Sequence, residues 1–145
     1  MSKSLLVEDN ASDEKLTRLA FKNCGVANEI VVEHDGLAAL DYLFATGKHA
    51  DRDATALPRL ILLDINLPKM DGLEVLRRVR ADQRTKLVPI VVLTSSKEEE
   101  DVMRSYSLGA NAYVRKPVEF AEFAVAARTL GLFWLLLNEP APILK

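Results

Sequence analysis

The chain holds a single cysteine, Cys24, among 145 residues. One cysteine excludes an internal disulfide framework and any zinc site built on cysteine pairs. A basic excess is also missing: 19 Lys and Arg stand against 21 Asp and Glu, for a formal net charge of -2. A broad electrostatic footprint for nucleic acid needs a clear positive balance, so no nucleic-acid partner is expected. No unbroken apolar run approaches the roughly 18 residues of a membrane span. Glu8 and Asp9 arrive before a secretory apolar region is complete. There is no internal repeat and no low-complexity tract. What is present, 49% hydrophobic and 28% charged residues, is the balance of a globular chain. The expectation is one domain over residues 1–145, cytoplasmic and without a membrane partner.

Five short apolar runs punctuate the chain: Leu5-Leu6-Val7, Ile30-Val31-Val32, Leu60-Ile61-Leu62-Leu63, Ile90-Val91-Val92-Leu93 and Ala112-Tyr113-Val114. Their length, and the absence of polar alternation, suit strands buried on both faces. Helical spacing lies between them, in Leu16, Leu19 and Ala20, in Leu37, Leu40 and Phe44, and in Leu73, Leu76 and Val79. Asp71 to Glu74 and Ser96 to Glu99 read as capping boxes. Gly25, Gly47 and Gly109 stand where left-handed helix C-caps belong. Five strands alternating with five helices predict an α/β fold, a doubly wound parallel sheet of order 2-1-3-4-5. Residues 46–58 form a long connection that reads as a surface loop. Cys24 reads as a small core residue, and His34 and His49 as surface.

Sheets of this kind bind ligands at the carboxyl ends of their strands. There the first strand delivers Glu8 and Asp9, the third Asp64, the fourth Thr94 and the fifth Lys116. Three converging acids repel one another and require a cation. Oxygen ligands that leave room for water and phosphoryl oxygens suit Mg²⁺. A carboxylate can attack phosphorus to give an acyl phosphate, while a lysine and a threonine hydroxyl serve the phosphoryl oxygens. Taken singly, Asp9, Asp64 or Thr94 would be an ordinary helix cap and Lys116 a solvated surface lysine. Five such groups, each at a strand end, favour a functional site.

In Leu6-Val7-Glu8-Asp9, Leu63-Asp64 through Asp71-Gly72, Val92-Leu93-Thr94-Ser95 and Gly109 through Lys116-Pro117, the chain resembles receiver domains of two-component response regulators. The resemblance implies that Asp64 accepts a phosphoryl group from a histidine kinase. It implies that Asp9 binds Mg²⁺ directly, Glu8 through water and Asn66 through its main-chain carbonyl. Lys116 would pair with Asp64 and then with the phosphoryl group. Thr94 and Tyr113 would act as a coupled switch, and Asn66 and Ser96 would modulate the phosphoryl lifetime. It also implies a cis Lys116-Pro117 bond. Such a protein is a phosphoacceptor rather than an enzyme, with at most weak self-dephosphorylation. The long loop at 46–58, Phe133-Trp134 and the stretch Ser95 to Asn111 resemble single-domain regulators serving bacterial phytochromes.

Few residues follow the receiver core, so a signal would leave by protein contacts. Residues 130–145 read as an extended helix end and tail. In it Leu132 to Leu137 is apolar through more than a turn, which predicts a homodimer interface at Phe133, Trp134, Leu136 and Leu137. The fourth helix, with Val102, Met103, Tyr106 and Leu108, carries only a modest apolar face. Three rival readings remain. An aspartate-nucleophile phosphatase of the haloacid dehalogenase type carries a general acid two residues after its nucleophile, where this chain has Asn66, which cannot shuttle a proton. A receiver-like module that is never phosphorylated would be expected to lack one of the site residues. A DNA-binding regulator needs a further domain.

Overall fold

A computed structural model describes residues 2–142. The strands are β1 (Ser2–Val7), β2 (Asn28–Glu33), β3 (Leu60–Leu63), β4 (Ile90–Thr94) and β5 (Ala112–Arg115). They alternate with α1 (Ala11–Lys22), α2 (Gly36–Phe44), α3 (Gly72–Ala81), α4 (Glu99–Ser107) and α5 (Phe120–Leu132). A π-helical turn, Phe133–Leu137, prolongs α5. All pairings are parallel, in the order β2-β1-β3-β4-β5, as the alternating pattern predicts.

Successive strand residues point to opposite faces. Leu5, Val7, Ile61, Leu63, Ile90 and Val92 pack with α2 and α3. Leu6, Leu60, Leu62 and Val91 pack on the other face with Phe21 of α1 and Leu135. Both layers are apolar, so the three central strands show no polar alternation in the sequence. The edge strands β2 and β5 are only half-buried. Leu19 and Leu37, expected on buried helix faces, are exposed. Cys24 is buried, and its Sγ lies where a Cβ on Gly131 would touch it at 3.4 Å, which marks the close approach of α1 and α5.

Gly25, Gly47 and Gly109 adopt φ of 81°, 54° and 104°, as their places after helices predict. Asp71 caps α3 by accepting from the Glu74 N–H at 3.0 Å. The second predicted box is displaced: the N-cap of α4 is Glu98, which makes no side-chain cap bond. The Ser96 hydroxyl has another engagement, described below. No peptide bond among the described residues is cis, so Lys116-Pro117 is trans rather than the expected cis. Trans is the lower-energy isomer even before proline.

Residues 46–58 are more ordered than a surface loop requires. A short 3₁₀ turn opens the segment, and Arg52 stacks 3.9 Å from the Tyr42 ring centroid. Its guanidinium donates to the carbonyls of Tyr42 and Ala56, each at 2.6 Å. His49 is half-buried, bonded to Glu33 at 3.0 Å and set edge-on against Tyr42, and so is not a surface histidine. At the amino edge of β3 and β4, Leu57, Arg59, Leu87 and Pro140 help line a cavity of about 290 Å³.

The end of α5 bears on two expectations. Phe120–Leu137 is an 18-residue helical run, long and apolar enough to cross a membrane by length and composition, with 22% of it buried. Glu122 and Arg128 interrupt it, so no unbroken apolar run reveals it. Phe133, Leu136 and Leu137 are exposed, as an interface requires. Trp134 instead packs against the Phe21 and Leu135 layer, with Phe133 edge-on at 5.0 Å. Residues 143–145 of the expected tail lie outside the described residues.

Candidate functional site

The sheet register sets the site. Val7 lies beside Leu63, Leu63 beside Val92, and Thr94 beside Arg115, so the chain leaves β1, β3, β4 and β5 at nearly one level. Glu8, Asp64, Thr94 and Lys116 follow at that level. The ladder continues one step beyond the strands: the Glu8 N–H donates to Glu33 O at 3.0 Å, Asp64 N–H to Val7 O at 3.1 Å, and Lys116 N–H to Thr94 O at 2.8 Å. The main chain of each site residue is therefore fixed by the sheet rather than by a free loop. Behind Asp64, a Cβ on Gly72 would lie 2.0 Å from the Asp64 carbonyl oxygen, so only glycine fits at the start of α3.

Glu8, Asp9 and Asp64 each place a carboxylate oxygen within 4.8 Å of the others. Glu8 is 1% and Asp64 6% exposed, while Asp9 faces solvent. Lys116 closes the buried side. Its Nζ stands 2.6 Å from Glu8 Oε1, 2.9 Å from Asp64 Oδ2 and 2.9 Å from Asp13 Oδ2. Burial opposes the Lys116 charge, but hydrogen bonds to Glu8 and Asp13 and the charge of Asp64 raise its pKa above that of an ordinary lysine. Burial likewise pushes the Glu8 carboxyl up to about 7, against the pull of Lys116. One lysine does not offset three clustered acids. An all-oxygen donor set with one solvent-facing member fits a hard divalent cation that keeps part of its water shell.

Asp13 is absent from the sequence-based set. Its one sequence signal is its place three residues after Asn10, where an acid suits the first turn of α1. Asn66 is exposed beside the acids, its N–H donating to Asp64 Oδ1 at 3.4 Å.

The predicted switch residues meet at one residue, Ser96. The Ser96 N–H donates to the hydroxyl oxygen of buried Thr94 at 3.4 Å, and the Tyr113 hydroxyl donates to the Ser96 carbonyl at 3.1 Å. Burial raises the Tyr113 pKa, which keeps its hydroxyl a donor. The Ser96 hydroxyl donates to Asp101 Oδ2 in α4 at 2.6 Å and accepts from the Glu98 N–H at 3.3 Å. Ser96 thus joins Thr94, Tyr113 and the start of α4.

The chain as a whole is similar to known proteins. A family model described as the response regulator receiver domain matches residues 5–128. The probable methanogenesis regulatory protein FilR2 of Methanothrix harundinacea is 39% identical over 139 residues, which is 95% of this chain and 87% of FilR2. Response regulator Rcp1 of Synechocystis sp. is 38% identical over 131 residues, 90% of this chain and 87% of Rcp1. The solved Mn²⁺-bound form of Rcp1 matches with a TM-score of 0.92 at 35% identity, covering 98% of this chain and 100% of that one. The phosphorylated cyanobacterial phytochrome response regulator RcpA gives 0.91 at 38% identity, covering 97% and 99%. The bacteriophytochrome response regulator AtBRR gives 0.74 at 52% identity, covering 96% and 99%. The sheet order, the acidic cluster beside a buried lysine and the matched residues agree: the chain belongs to the response regulator receiver domain family.

Proposed function

We propose that this receiver takes a phosphoryl group from the phosphohistidine of a histidine kinase of the bacterial phytochrome type. The Asp64 carboxylate oxygen attacks phosphorus; the P–N bond of the donor breaks, and its electron pair stays on the imidazole, which takes up a proton. The observation that carries this reading is the buried Asp64 carboxylate, 2.9 Å from Lys116 and within the cluster it forms with Glu8 and Asp9. Mg²⁺ held by Glu8, Asp9, Asp64 and the Asn66 carbonyl would neutralise charge on the transferring group. Lys116 faces the same oxygens from the buried side. Thr94 turns its hydroxyl toward the phosphoryl group, releasing Ser96, and Tyr113 follows inward. The metal-bound form of Rcp1 and the phosphorylated form of RcpA support this assignment, and AtBRR and RcpA support a phytochrome partner.

The signal leaves through protein contacts, in the cytoplasm, without nucleic acid. Exposed Phe133, Leu136 and Leu137 support a homodimer through the end of α5, with Trp134 bracing it from within. A Leu136→Glu variant should then sediment as a lighter species than the wild type.

Intact mass after treatment with acetyl phosphate and Mg²⁺, or with a phosphorylated bacteriophytochrome kinase, tests the acceptor. The wild type should gain one phosphoryl group and Asp64→Asn none. An equal gain in the variant overturns the assignment of Asp64, and no gain from either donor overturns the reading as a phosphoacceptor.

A further inference from the structure

Lys116 has one more carboxylate partner than phosphoryl transfer to Asp64 accounts for. A lysine ammonium has three N–H donors, and here three carboxylates surround it at 2.6 to 2.9 Å. Two of them, Glu8 and Asp64, belong to the cluster that would hold a divalent cation. Asp13 does not. Its main chain is fixed independently of its carboxylate: its N–H donates to Asn10 Oδ1 at 3.0 Å, and its carbonyl accepts from the Thr17 hydroxyl at 2.8 Å. Side chains in a helix lean toward its N-terminus. In the first turn of α1 this lean carries the Asp13 carboxylate to the strand ends, across 103 positions of sequence from Lys116.

Glu8 and Asp64 would share their carboxylates between Lys116 and a bound cation, and two positive centres so placed repel. Transfer to Asp64 then converts the carboxylate facing Lys116 into an acyl phosphate. With acetyl phosphate as donor, an Asp64 oxygen bonds to phosphorus while the donor P–O bond breaks and its electron pair leaves with acetate. Both events loosen contacts that Lys116 makes with the cluster, and neither touches Asp13.

We infer that Asp13 is a positioning residue for Lys116, anchoring the ammonium at the phosphoryl end of the site while cation and phosphoryl group occupy Glu8 and Asp64. This rests on Asp64 as acceptor. It assigns Asp13 a part in the reaction rather than in the helix, whose cap uses Asn10 and main-chain groups.

The test is the rate of phosphorylation by acetyl phosphate at saturating Mg²⁺, with the fold of each variant checked by circular dichroism. Asp13→Ala should slow the reaction about tenfold, the size of one charge-assisted hydrogen bond. Asp13→Asn keeps an acceptor oxygen and should lose less. In a Lys116→Ala background, Asp13→Ala should change the rate no further, because Asp13 acts through Lys116. An Asp13→Ala rate within twofold of the wild type removes the inference, and so does the same loss with Lys116 absent. A wild type that takes no phosphoryl group removes the acceptor assignment, and this inference with it.

Discussion

Helices α3 and α4 follow the two central strands that deliver Asp64 and Thr94, yet they are held very differently. Helix α3 buries Gly72, Leu73, Val75, Leu76 and Val79. Helix α4 buries Ser105 alone and leaves Met103 70% and Tyr106 51% exposed. Arg80 sharpens the contrast. From the end of α3 it donates to the carbonyls of Gly109 at 2.8 Å, Lys86 at 3.1 Å and Val88 at 2.7 Å, and to Asn111 Oδ1 at 2.9 Å. The turn that leaves α4 is thus riveted to α3, while the start of α4 is tied through Ser96 to Asp101. Asp64 sits on a fixed wall, and Thr94 sits beside a helix riveted at its end and held at its start by one side-chain bond. Sparse burial and few buried contacts are what a low-energy local rearrangement requires.

The contrast breaks if the two helices respond alike to truncation. Leu76→Ala should cost about 2–5 kcal/mol in denaturant unfolding, as buried leucines do. An intermediate effect is expected from Glu8, whose folded pKa of about 7 lies above its usual 4.5. Between those values the folded chain holds a proton that the unfolded chain has lost, so metal-free stability falls as pH rises. The slope reaches at most about 1.4 kcal/mol per pH unit, the limit for one proton. Glu8→Gln should abolish that component in unfolding curves taken from pH 4.5 to 7.5. Ser96→Ala should cost about 1 kcal/mol or less. Its clearer mark should be faster amide exchange at the start of α4 with exchange in α3 unchanged. Met103→Ala should fall within about 0.5 kcal/mol of the wild type; a loss matching that of Leu76→Ala would show α4 to be as firmly packed as α3.

Much of this was legible in the sequence because burial on both faces leaves apolar runs, and each run ends where the sheet ends. Glu8, Asp64, Thr94 and Lys116 could be read off those ends without knowing any distance. The Asp13–Lys116 pair could not, because it depends on how α1 is set over the sheet. Ser96 matches a cap by spacing, but α4 starts only at Glu99; the Ser96 oxygen accepts from Glu98 N–H while its O–H donates to Asp101, and spacing does not show where the first turn begins. The order in residues 46–58 comes from Arg52 bonding to main-chain carbonyls, which leave no trace in residue identity. An apolar run carries no phase, so by sequence Trp134 reads outward with its neighbours, whereas it packs inward.

That phase is set by the wide turn at the end of α5. Phe123, Ala127, Gly131 and Leu135 form its buried stripe, every fourth residue. In a regular α-helix a four-residue step overshoots a full turn by roughly 40°, so the stripe would wind away from the sheet. The last turn instead closes with an Asn138 N–H to Phe133 carbonyl bond at 2.7 Å, five residues back, which takes up part of that drift. It works as a gear tooth, returning Leu135 to the core and fixing the bearing of Leu136 and Leu137. A regular α-helical turn in its place would restore the full drift, turning the outward leucines off their bearing without altering any of them.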